Sequence, residues 1–196
     1  MAGRTASAER KTKETTVYVS IDLDGTGKNS VDTGVGFLNH MLDLLGKHAM
    51  IDLVVKAAGD TEVDDHHTTE DIGIVLGQAV AEALGDKVGI NRFGFASVPM
   101  DEARAEATID ISGRAYFVFD GEIDSEKVGG FDTELVPEFL QGFASNLGAN
   151  VHVAIRAAGN GHHTIEAVFK ATARALRQAV EIDIRQEGVP STKGVL

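Results

Sequence analysis

The 196-residue sequence predicts an α+β fold of two fused, similar halves, each a mostly antiparallel sheet packed on two helices. Three observations predict it. The order strand, helix, strand ending in Ala-Ala-Gly, long helix occurs twice. Strand-like segments alternate β-branched and polar residues, and helix-like segments carry apolar residues at 3.6-residue spacing. A sheet and a helix that are each apolar on one face only must bury those faces against one another, which gives layered α+β packing.

In the first half, Thr16 to Leu23 alternates as a strand, Phe37 to Leu45 reads as a helix, and Ile51 to Ala57, followed by Ala58-Gly59, reads as a strand. A long helix then opens at His66-His67 and ends near Gly85, with Ile72, Leu76, Ala79, Val80 and Ala83 on one face. In the second half, a strand at Ala107 to Ser112, a helix at Leu135 to Leu147 and a strand at Val151 to Ala157 lead to a second helix. It opens at His162-His163 and ends near Glu181, its apolar face including Ile165, Val168, Phe169, Leu176 and Val180. Asp64 or Asp65 and Asn160 are the residues suited to cap the two long helices. Between the halves, Ile90 to Phe119 reads as further strands and Gly121 to Gly130 as a loop. The expected division is a disordered segment 1–12, halves at 13–99 and 100–187, and a tail at 188–196.

The formal net charge of −12 argues against nucleic acid or an anionic membrane as partner, since both need a basic face. No apolar run approaches membrane-spanning length, so a soluble cytoplasmic protein is expected. With no cysteine, any metal must sit on nitrogen and oxygen ligands.

The strongest chemical signal is a duplicated helix opening, His66-His67-Thr68-Thr69-Glu70 and His162-His163-Thr164-Ile165-Glu166. On a helix each glutamate lies near both histidines of its motif, while adjacent histidines point about 100° apart. One ion would struggle to take both rings of a pair. Either each helix end feeds two metals or the two ends share a pair. Imidazoles and carboxylates together suit manganese, iron or zinc, with manganese favoured in octahedral sites that keep open positions. A lone histidine pair is most often an ordinary polar helix start. Duplication after matching strand ends makes coincidence the poorer explanation.

His40 lies on a mostly apolar helix. Aligning Leu42 with Leu140 and Leu53 with Val151 sets it opposite Glu138, another ligand type, whereas aligning Phe37 with Phe139 breaks that correspondence. His152, in an apolar strand, reads as an outward or core histidine. Among the basic residues Arg92, Arg114, Lys170 and the tail's Ser191-Thr192-Lys193 are the groups suited to a phosphate monoester. Each alone could be surface charge, and Arg174, Arg177 and Arg185 read as helix-surface charges.

At this point the sequence resembles the imidazoleglycerol-phosphate dehydratase family over roughly Lys11 to Leu196. The resemblance is carried by Phe37-Leu38-Asn39-His40-Met41-Leu42-Asp43, Asp64 to Asp71, Gly89-Ile90-Asn91-Arg92-Phe93-Gly94, Ser112-Gly113-Arg114, His162 to Ala167, Ala173 to Ala179 and Pro190 to Leu196. It implies dehydration of D-erythro-imidazole glycerol 3-phosphate to imidazole acetol phosphate in histidine biosynthesis. It also implies a 24-mer of cubic symmetry and two Mn2+ per active site that bind the substrate's ring as imidazolate. His40, His66, His67, Glu70, His162, His163 and Glu166 are the ligands so implied. At Glu138, where relatives often carry histidine, a carboxylate stands in the same ligand position. Glu14 is implied as the proton-transferring residue, and His40, His67, Glu70, His163 and Glu166 as further catalytic groups. Arg92, Arg114, Lys170, Ser191, Thr192 and Lys193 are implied on the phosphate, with Glu14 and His48 also on the substrate side. Two other classes use similar residues: a dinuclear phosphatase, which would release inorganic phosphate, and a metal-stapled assembly module, which would turn nothing over.

Overall fold

The computed structural model describes residues 3–196 and shows the same arrangement twice. The first half comprises β1 (Thr5–Lys11), β2 (Thr15–Asp22), β3 (Asn29–Asp32), α1 (Gly36–Ala49), β4 (Asp52–Gly59) and α2 (His66–Leu84). The second comprises β5 (Phe93–Met100), β6 (Ala103–Asp110), β7 (Tyr116–Asp120), a small hairpin β8 (Lys127–Val128) and β9 (Phe131–Asp132), then α3 (Leu135–Leu147), β10 (Asn150–Ala157) and α4 (Gly161–Val180). The four-stranded sheets are ordered β1-β2-β4-β3 and β5-β6-β10-β7. In each, the first three strands are antiparallel and the fourth runs parallel to its neighbour. Helices α1 and α3 lie in the connections that a parallel pair requires.

Alternation drives the strands: Val17, Val19 and Ile21 of β2 are buried, while Tyr18 and Ser20 point away. The equivalence of the halves is exact at the helix ends. Met50 and Gly148 both cap their helices in the left-handed conformation, with φ of 58° and 70°. That correspondence places His40 opposite Glu138.

The halves interlock rather than stand side by side. Helix α2 covers β1 and β2 and packs along α3, while α4 covers β5 and β6 and packs along α1. Each half therefore lends its first helix to the other, and a single hydrophobic core runs through both. Two glycines permit the α2–α3 contact. A side-chain carbon at Gly73 would stand 2.3 Å from the Phe139 carbonyl oxygen, and one at Gly77 would stand 2.5 Å from that of Phe143. Residue numbers rise together along this contact, so α2 and α3 run the same way and bring their first turns to one end.

Two expectations are corrected. Within the segment expected to be disordered, Thr5–Lys11 forms β1, paired along its length with β2, while residues 1–2 lie outside the described residues. The boundary expected at 99/100 cuts through β5, which already belongs to the second sheet. Among the described residues, no helix is long and apolar enough to cross a membrane.

Candidate metal centre

At the start of α4, the Asn160 side chain accepts the backbone N–H groups of His162 and His163, at 2.9 and 3.4 Å, and so fixes the helix opening. The four-residue spacing then stacks His162 over Glu166, with Nε2 3.0 Å from Oε1. From α1, His40 brings its own Nε2 to 2.9 Å from the same oxygen. One donor atom from each of these three residues lies within 4.8 Å of the others, which makes them a candidate cation group. The Glu166 side chain is only 9% exposed, whereas His40 and His162 are 45% and 42% exposed, so the group opens outward. Burial works to raise the Glu166 pKa, but hydrogen bonds from Lys170, His40 and His162 outweigh it and hold the carboxyl at about 2. The carboxyl is thus ionised at neutral pH.

His163 turns away from its neighbour, as helix geometry requires; the two rings are 80° from coplanar. Its Nδ1 faces Glu102, in the β5–β6 turn, at 3.1 Å from Oε2. Asp101, Glu102 and His163 form a second, more exposed candidate group. The Glu102 carboxyl is held at about 2, mainly by the backbone N–H of Asn160, then by its own N–H and by His163.

The α2 opening repeats this plan. His66 and His67 are 87° from coplanar, and the His66 backbone N–H donates to Asp64 at 2.8 Å, whereas the Asp65 side chain makes no capping bond. His67 Nδ1 lies 3.1 Å from Asp60 Oδ2, in the loop after β4. This hydrogen bond raises the His67 pKa, and the Glu14 charge adds to the effect. Glu14 is exposed in the β1–β2 turn, where the Thr12 hydroxyl accepts its N–H at 3.1 Å. Asp71 docks that hairpin on α2 by accepting Arg10 Nε at 2.7 Å and the Thr15 hydroxyl.

His66, Glu70 and Glu138 belong to neither of the two cation groups found among the described residues. Glu138 nevertheless starts α3 on the same end as Glu70, whose carbonyl oxygen would meet a side-chain carbon at Gly142 at 3.1 Å. No hydrogen bond, ion pair or ring contact among the described residues joins the α2 motif to the α4 motif. The α2 and α4 openings thus form two groups that do not touch one another among the described residues.

Several basic residues expected on phosphate are already engaged. The Lys170 ammonium sits on Glu166, one turn further along α4, and near Met100 Sδ. Arg92 makes a two-pronged pair with Asp110, at 2.6 and 3.1 Å, and donates to the Pro190 carbonyl at 2.9 Å. That contact ties down the tail, whose last residue reaches back to Gly113. Arg92, Arg114 and the Ser191–Lys193 segment are thus drawn to one region, with Arg114, Thr192 and Lys193 exposed. His48, half-buried on α1, faces Lys170 and Arg174; burial first, then these charges, lower its pKa. Arg174, read from the sequence as a surface charge, belongs to this cationic lane. His152 is exposed on β10, beside Tyr116.

The Arg92 region and the paired histidines lie at opposite ends of α4. Arg92 N–H bonds the Ala179 carbonyl, and His163 to Ala179 spans roughly 24 Å at 1.5 Å per residue. Imidazoles and ionised carboxylates with room for further ligands fit a divalent ion of the manganese type. The sequence signalled the histidines and glutamates of the two helix openings by duplication, but nothing marked Asp60 or Glu102, which lie in turns.

Comparison with known proteins bears on this arrangement. Residues 33–176 match the family model described as imidazoleglycerol-phosphate dehydratase. The chain is 58% identical over 194 residues to the protein of that name from Acidiphilium cryptum, covering 98% of this chain and 99% of that protein. It is 60% identical over 193 residues to its counterpart from a Geobacillus species, covering 98% and 99%. Its fold is similar to the crystal structure of the Staphylococcus aureus enzyme, with a TM-score of 0.83, 43% identity and coverage of 91% of this chain and 99% of that one. It is equally similar, with a TM-score of 0.83, to the Pyrococcus furiosus enzyme in complex with (S)-C348, at 37% identity and 96% and 99% coverage.

Proposed function

The chain belongs to the imidazoleglycerol-phosphate dehydratase family and is a hydro-lyase of histidine biosynthesis, and on that premise we propose how its residues divide the work. The reaction converts D-erythro-imidazole glycerol 3-phosphate to imidazole acetol phosphate. Its difficulty is the proton, which must leave a carbon beside the ring that is too weakly acidic for an unaided base. Two bound Mn2+ ions would supply Lewis-acid stabilisation of the negative charge, with the substrate ring held as imidazolate.

The chain's residues supply the rest. His40, His162 and Glu166 form one ligand group, with His66, Glu70 and Glu138 as its counterpart in the other half and His67 and His163 completing the set. Lys170 holds Glu166 in place and ionised. Glu14, carried over α2 by the docked hairpin, is the proton-transferring group, positioned before substrate arrives. Arg92, Arg114, Ser191, Thr192 and Lys193 bind the phosphate, with His48 on the substrate side.

One observation carries a further part of this reading, the separation of about 24 Å along α4 between His163 and the Arg92 region. The substrate joins ring and phosphate through a short carbon chain and cannot span it. The active site is therefore completed between neighbouring copies, within a 24-mer of cubic symmetry in the cytoplasm. Half-buried histidines at both helix openings, left partly open to solvent in the single chain, support such sharing. Product analysis tests the chemistry: metal-stripped protein, substrate and added Mn2+ should yield a ketone that keeps its ester, whereas release of inorganic phosphate would point to a phosphatase.

A further inference from the structure

The second histidine of each pair is held in the same way. His67 Nδ1 lies 3.2 and 3.1 Å from the two carboxylate oxygens of Asp60. His163 Nδ1 lies 3.3 and 3.1 Å from those of Glu102. In neither ring does Nε2 hydrogen-bond to any described residue, whereas His162 turns its Nε2 to Glu166. A neutral imidazole that donates from Nδ1 keeps its lone pair on Nε2, and the carboxylate fixes the ring's direction as well.

The two carboxylates are not copies of one ancestral residue. Asp60 follows Ala57-Ala58-Gly59, and the residue in that place in the second half is Asn160, which caps α4. Glu102 occupies the β5–β6 turn, and the matching β1–β2 turn carries Glu14. The same hydrogen bond to the same ring atom has thus been built twice, from unrelated positions. An incidental surface ion pair has no reason to recur in this form.

We propose that Asp60 and Glu102 are positioning residues that hold His67 and His163 as Nε2 donors for the metal ions. The inference rests on the manganese reading above. Asp60 is the cleaner test, because its side chain makes no other hydrogen bond among the described residues, whereas Glu102 also accepts the Asn160 N–H at 2.6 Å.

The full chain, stripped of metal, is titrated with Mn2+ alone, and free Mn2+ is followed by its EPR signal. Wild type is compared with Asp60→Ala, Asp60→Asn, Glu102→Ala and Glu102→Gln. Loss of a partner of this kind typically weakens metal binding about 10- to 100-fold, and that is the expected result for both alanine variants. The amide variants still present an oxygen to Nδ1 and should recover most of the affinity. Pulsed EPR of the bound ion should show weakened imidazole-nitrogen couplings in Asp60→Ala and restored ones in Asp60→Asn. Alanine variants that bind Mn2+ as tightly as wild type, with unchanged couplings, would overturn the positioning role. So would a folded Asp60→Asn no better than Asp60→Ala. Wild type that binds no Mn2+ would instead remove the metal reading on which the inference stands.

Discussion

His40 and Glu166 are 126 positions apart in the chain, yet His40 Nε2 stands 2.9 Å from Glu166 Oε1. The contact exists because the helices are exchanged between halves: α1 packs on α4, so a first-half histidine completes a second-half motif. Glu166→Gln keeps the shape of the group but removes its charge. Manganese affinity is expected to fall by at least about 10- to 100-fold, as measured by Mn2+ titration of the stripped protein. Unchanged affinity would remove Glu166 from the ligand set.

The histidines should divide by position. His67→Ala and His163→Ala are expected to abolish turnover, while His152→Ala, altering an exposed side chain on β10, should leave most of it. Steady-state kinetics with Mn2+ present checks this. Comparable losses in all three would mean that the wrong histidines have been chosen.

Glu138 corresponds to His40 through the matched helix ends, at the level of the α2 opening. Glu138→Ala is expected to lower the amount of bound manganese, and Glu138→His to preserve it. Metal analysis after gel filtration decides, and an alanine variant with wild-type manganese content would exclude Glu138 as a ligand.

Much of this architecture follows from pattern alone. The α3 limits, Leu135 to Leu147, coincide with the periodic run in the sequence, and α4 follows its capping Asn160. Strand β1 escaped because Thr5–Lys11 has no buried position and therefore no apolar alternation; it exists by pairing with β2. Periodicity identifies which face of a helix is apolar but not which helix covers it, so the exchange of α1 and α3 was invisible. The candidate ligands of α2 and α4 were marked by their repetition in two helix openings. Asp60 and Glu102 were not, because a turn carboxylate has no period and its partner is fixed only by the fold.

The contact between α2 and α3 tests that exchange. In Gly73→Ala the new carbon meets the Phe139 carbonyl oxygen, a backbone atom that cannot swing aside. Forced overpacking of this kind costs about 1–3 kcal/mol. Chemical unfolding should show the loss, and a variant as stable as wild type would mean that the helices are not so close.

The pair between Arg4 and Asp24 gives a pH test. The side-chain hydrogen bond from Arg4, helped by its charge, lowers the Asp24 pKa below 3.8 against the opposing effect of burial. A lowered carboxyl pKa contributes stability that is complete above about pH 3.8 and is lost as pH falls through the folded-state value. Because Asp24 is half exposed, the contribution should be under about 1 kcal/mol. The difference in unfolding free energy between wild type and Asp24→Asn should be present at neutral pH and vanish in strong acid. A difference independent of pH would contradict the assignment.

An active site assembled from opposite ends of α4 in neighbouring copies, as proposed, predicts that two inactive variants complement one another. His163→Ala and Arg114→Ala are each expected to be inactive alone. Co-expressed so that mixed assemblies form, they should recover roughly a quarter of wild-type turnover, the share of sites drawing both intact groups from different copies. Mixed assemblies as inactive as either parent would contradict it, because the two groups would then have to come from one chain.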